Sequence, residues 1–134
     1  MFDAASFVRV VAFGLIYAGI EFRYVNRYER GWTKTQEEFL EKPVFWAISP
    51  YHLYLLLPLF VVVSYAPSLG AWAGNAFFLA VLEDMAYFAW RGTAVTRADW
   101  TATLFGSFRV GGFEVPFWWP FDLALAAVLF WIPL

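Results

Sequence analysis

The chain has 134 residues, 62% of them hydrophobic and 15% charged, with a formal net charge of −2. A soluble domain carries about 25% charged and about 45–50% apolar residues, and so small a globule has too little interior to hide 16 Phe, 8 Trp and 7 Tyr side chains. Composition therefore argues against water as the solvent of this surface, the lack of any basic run argues against a nucleic-acid partner, and the lack of Cys excludes disulfides, thiolate metal sites and thiol nucleophiles.

Crossing the hydrocarbon core of a bilayer takes about 20 mostly apolar residues at about 1.5 Å each. Stretches at about 5–28, 44–66, 70–91 and 116–134 meet that requirement, all within one domain, 1–134. The expectation is an all-α membrane protein, a four-helix transmembrane bundle with short cytoplasmic interfacial helices. Met1 to Ser6 carries Asp3 and no Lys, which makes a poor cleavable signal, so the first stretch reads as a retained helix. Gly31 is its expected cap, with Arg27 and Arg30 set favourably against the helix dipole, and Arg9 near its start is expected to snorkel outward.

The second stretch is interrupted by Pro43, Pro50 and Pro58. Ser49-Pro50 reads as an N-cap and first-turn proline, and Pro58 as a kink. After the turn Ala66-Pro67-Ser68-Leu69, the third helix begins with Gly70 and Gly74 and carries Ala76 and Ala80 ahead of Asp84. Small residues at this spacing permit close helix packing, which would turn Asp84 toward a partner helix. Gly14 and Ala18 form a similar face on the first helix, and the fourth stretch runs from Pro116 to Leu134.

The connections differ in charge. The first loop and its flanks hold Arg23, Arg27, Arg30, Lys34 and Lys42, the second holds no charge, and the third holds Arg91, Arg97 and Arg109. By the positive-inside rule the first and third loops are cytoplasmic and both termini lie on the non-cytoplasmic side. Thr35-Gln36-Glu37-Glu38 and Thr96-Arg97-Ala98-Asp99 read as capping boxes of interfacial helices. Trp100, Leu104, Phe105 and Phe108 then supply an apolar stripe suited to the membrane surface, and Trp32, Trp46, Trp118 and Trp119 fit an aromatic belt.

Ionisable groups at membrane depth are costly and so mark functional positions. They are Glu21, His52, Glu83, Asp84 and Asp122. At the helical rise, Glu83 lies about 12 Å from Arg91, Asp122 about 9 Å from Pro116 and His52 about 3–12 Å in. All of these fall in the expected cytoplasmic half. Glu83 and Asp84 point about 100° apart, and Tyr87 follows Glu83 at i+4 with a hydroxyl to offer. The expected buried polar cluster is Glu83, Asp84, His52 and Asp122, supported by Tyr87 and Glu21.

Several readings of that cluster compete. His52 with Glu83, Asp84 or Asp122 suits a divalent metal chemically, although no paired-ligand motif fixes two ligands on one helix face. His52 with a carboxylate also suits acid–base chemistry on a lipid-linked substrate, whose headgroup phosphate Arg23, Arg27, Arg91 and Arg109 would hold. A proton or cation path would require a homo-oligomer, since four helices enclose little room. In the structural reading the carboxylates pair with arginines and with the hydroxyls of Tyr17, Tyr54 or Tyr87. Glu21 and Asp122, near the interface, fit that reading best. The chain could equally be an accessory subunit of a larger membrane complex. The leading expectation is a small integral membrane protein whose cluster, centred on Glu83 and Asp84, binds a cation or polar headgroup.

Overall fold

A computed structural model describes residues 2–25 and 51–132 of the chain. Helix α1 spans Ala4–Ile20 and continues into a π-helical turn, Glu21–Val25. Asp3 caps it: its carboxylate accepts the Ser6 amide at 3.0 Å, while the Ser6 hydroxyl returns a bond to the Asp3 carbonyl at 3.0 Å. The Ser6 bonds hold the Asp3 carboxyl below its ordinary range.

Helix α2, Leu57–Val63, is entered through a π-helical turn at His52–Leu56. Pro58 has no amide hydrogen and its ring crowds the preceding turn, so the expected kink takes the form of this widened turn, with the Leu57 amide bonding to His52 O. Arg9 is exposed and reaches the main chain at the end of the second helix. Its Nε donates to the Val63 carbonyl at 2.9 Å and its Nη2 to the Tyr65 carbonyl, capping the carboxyl end of α2.

Helix α3, Leu69–Arg91, starts at an N-cap Ser68 and stops at Gly92, whose φ of +71° closes the helix in the left-handed region. It is the central element, packed along α1 on one side and along α5, Trp118–Trp131, on the other. The glycines explain the closeness. A Cβ on Gly70 would sit 2.7 Å from the carbonyl oxygens of Leu129 and Ile132, and one on Gly74 would strike the Phe130 ring at 2.9 Å. On the α1 side, Gly14 lies against Leu79 and Leu82, and Gly19 receives the Trp90 ring, whose indole donates to the Leu15 carbonyl at 2.9 Å.

Between α3 and α5 the chain departs from the expected interfacial helix. Helix α4 covers only Trp100–Leu104, and an antiparallel hairpin follows, β1 Ser107–Val110 paired with β2 Phe113–Pro116. The reason is local. Gly111 and Gly112 take φ of +56° and +90°, the turn that matches strand twist in a two-residue hairpin, and no helix continues through two such residues. Phe108 therefore pairs across to Val115 instead of extending a helical stripe.

Among the described residues one helix, Ala4–Tyr24, is long and apolar enough to cross a membrane. The helix α3 has the length but carries Asn75, Glu83, Asp84 and Arg91, and His52–Val63 and Trp118–Trp131 are shorter apolar helices. Gly31, the Thr35–Glu38 box, the Ser49-Pro50 start and Arg27 lie outside the described residues.

Candidate functional site: two carboxylates back to back on the central helix

Glu83 and Asp84 are both buried, and their divergence around the α3 axis sends them to different neighbours. Asp84 meets α4 and α5. Its Oδ2 accepts the Thr101 hydroxyl at 2.5 Å and the Trp119 indole N–H at 2.8 Å. The Trp118 indole in turn donates to the Thr101 hydroxyl at 3.1 Å and to its carbonyl at 3.2 Å. One carboxylate thus ties three elements together.

The loop that delivers Thr101 is pinned at Asp99, the N-cap of α4. Arg91 Nη1 lies 2.7 Å from Asp99 Oδ1, while the Thr96 amide and hydroxyl donate to Oδ2 at 2.7 and 2.9 Å. Burial alone would raise the Asp99 carboxyl, but the Arg91 and Thr96 donors outweigh it and hold the group below its ordinary range. Arg91 also stacks over the Phe88 ring at 5.2 Å. At the hairpin, Glu114 gathers the Ser107 hydroxyl at 2.6 Å and the Nε atoms of Arg97 and Arg109 at 3.1 Å each. These bonds, Ser107's foremost, likewise hold Glu114 low against the opposing effect of burial. Two of the four arginines expected to hold a headgroup, Arg91 and Arg109, are therefore engaged by carboxylates of the chain itself. Arg23 is exposed on the π-helical turn.

Glu83, about 100° round the helix from Asp84, faces the end of α1 and Tyr51. Only 6% of it is exposed, and its Oε1 has no hydrogen-bond partner among the described residues. The carboxyl of Glu21 comes within hydrogen-bonding reach of it. Glu21, expected in the wetted boundary, is half-buried at the end of α1 and joins the cluster across sixty-odd residues of sequence, a contact that helical spacing does not reveal. Beside the pair, the hydroxyls of Tyr17 and Tyr51 share a hydrogen bond of 2.6 Å, with Tyr51 in electrostatic range of both carboxyls. No Lys or Arg among the described residues forms an ion pair with Glu21 or Glu83; the ion pairs found are those of Asp99 and Glu114.

The remaining expected members are dispersed. The His52 ring packs edge-on against Tyr51 at 5.2 Å and Trp100 at 5.9 Å, and the Tyr87 ring packs against Phe22 and Phe88. Asp122 lies partly exposed on α5, without a hydrogen bond or ion pair among the described residues. Among the described residues no three His, Asp or Glu side chains converge to hold a metal ion.

Sequence reasoning missed a second polar node, toward the other end of α3. Asn75 is buried and its amide donates to the Ser6 hydroxyl at 2.9 Å and the Ser64 carbonyl at 3.1 Å. An Asn within so apolar a helix was itself the available signal.

Comparison of the chain with protein-family models, with curated proteins and with solved structures found no match.

Proposed function

We propose that the chain is an integral membrane protein of four spanning helices, its first and third loops cytoplasmic and both termini on the other side, and that it binds a cation at Glu83 and Glu21. The membrane reading is supported by the exterior. Ile16 on α1, Val62 on α2, Leu69 on α3, and Phe121 and Trp131 on α5 all turn large apolar side chains outward, while the charged and amide groups of α3 turn inward. A surface of this kind in water drives association. The orientation rests on the arginines of the third loop and the Lys and Arg of the first.

The observation that carries the cation reading is the buried Glu83 carboxyl, one oxygen without a partner among the described residues, facing a second carboxyl. Two acids in that position need a positive species between them. Headgroup binding is the weaker arm, because Arg91 and Arg109 already hold Asp99 and Glu114.

The test uses the full chain purified in detergent, with tryptophan fluorescence titrated against pH and against sodium, potassium, magnesium and calcium chlorides. Above the acid range in which Asp99 and Glu114 titrate, wild type responds to at least one of these and Glu83→Gln responds to none. An unresponsive wild type ends the cation reading. Orientation is checked separately: a thiol introduced by Ser68→Cys is labelled from outside intact cells and one introduced by Thr35→Cys is not.

A further inference from the structure

The cation that this site takes can be narrowed by counting what surrounds it. A hard metal cation collects about six or more oxygen ligands. Here Glu21 and Tyr17 come from α1, Tyr51 from the start of the second helical segment and Glu83 from α3. The two phenol hydroxyls are already bonded to one another, and the neighbouring acid, Asp84, has its Oδ2 occupied by Thr101 and Trp119. Among the described residues that leaves the two carboxyl groups and the second oxygen of Asp84, fewer than about six oxygens, and no group of three acids or histidines that converges on a metal ion. Two carboxyls within hydrogen-bonding reach have no donor between them unless one carries a proton. The buried Oε1 of Glu83, which no donor among the described residues reaches, is an acceptor that a shared proton would satisfy.

We propose that Glu21 and Glu83 share a single proton, as a carboxylic acid hydrogen-bonded to a carboxylate, and that this pair is the chain's exchangeable proton site. The inference rests on the cation reading above and specifies its ligand. In loading, one proton passes from water at the cytoplasmic side to a carboxylate oxygen; an O–H bond forms, and the pair's charge changes from −2 to −1. Release is the reverse, and no other bond is made or broken. The Tyr17–Tyr51 hydroxyl pair borders the site.

The experiment is infrared difference spectroscopy of the full chain in lipid vesicles, stepping the pH in light and heavy water, with and without sodium, potassium or magnesium chloride. The expected result is one carboxylic-acid carbonyl band per chain that downshifts in heavy water, disappears in Glu83→Gln, persists at a shifted position in Glu83→Asp and in Glu21→Gln, and is unchanged in Asp3→Asn. Carboxylate bands that move with a metal chloride and not with pH would overturn the proton assignment while leaving the cation reading standing. Bands indifferent to pH and to every salt would overturn both. An acid band that survives in Glu83→Gln would place the proton elsewhere and overturn the proposal.

Discussion

On the side of α3 that faces α4, the hairpin and α5, three carboxylates sit among donors. Asp84 takes a hydroxyl and an indole, Asp99 an arginine and two groups of Thr96, and Glu114 two arginines and a serine. On the side that faces α1, Glu83 and Glu21 face one another, and no basic residue among those described pairs with either. Adjacent residues of one helix thus belong to different kinds of chemistry. An acid whose lone pairs are satisfied organises structure, whereas one left facing another acid is costly unless something else binds there.

Substitutions can break that contrast, and the largest effect should come from the satisfied side. Asp84→Leu strands the Thr101 hydroxyl and the Trp119 N–H, and at about 1.5–3 kcal/mol per hydrogen bond to a charged group it should lower stability in detergent by about 3–6 kcal/mol. Unchanged unfolding of that variant in a denaturant titration would contradict the clasp. Gly70→Ala pushes a methyl into two carbonyls of α5; overpacking outweighs the helix-propensity gain, for a net loss of about 1–2 kcal/mol. Trp119→Phe removes one donor and keeps most of the ring, costing about 1–2 kcal/mol by thermal unfolding.

Acidification sharpens the same side. The Asp99 and Glu114 carboxyls sit below their ordinary values of 3.8 and 4.5 in the folded chain, so they stabilise it at neutral pH. That contribution is lost as the pH falls from those values through the lower folded ones. Melting curves of wild type should therefore fall below about pH 4.5 more steeply than those of Asp99→Asn. The smallest stability effect belongs to the other side: Glu83→Gln preserves shape and leaves the Glu21 carboxylate facing a neutral amide, so stability should change by about 1 kcal/mol or less in either direction while cation response disappears. A loss as large as that of Asp84→Leu would erase the distinction between the two acids.

Part of this was legible in the sequence. The Gly70–Gly74 spacing announces a close helix neighbour, and the angular offset between Glu83 and Asp84 says that they cannot serve one partner. What was not legible depends on through-space meetings or on single backbone angles. Glu21 reaches Glu83, and Arg9 reaches the end of α2, across separations that no periodicity encodes. The hairpin was hidden because Trp100, Leu104, Phe105 and Phe108 satisfy a helical period, while the deciding signal, Gly111-Gly112, lay beyond that window. His52 stood out as the single histidine, yet its ring packs between aromatic neighbours Tyr51 and Trp100.

Whether hydrocarbon is the medium of this exterior can be read from one chromatogram of the full chain after detergent is withdrawn. A lipid-facing exterior predicts that the chain stays folded and monodisperse only while detergent or lipid is present and aggregates when it is removed. A single folded, monodisperse species in plain buffer would contradict it.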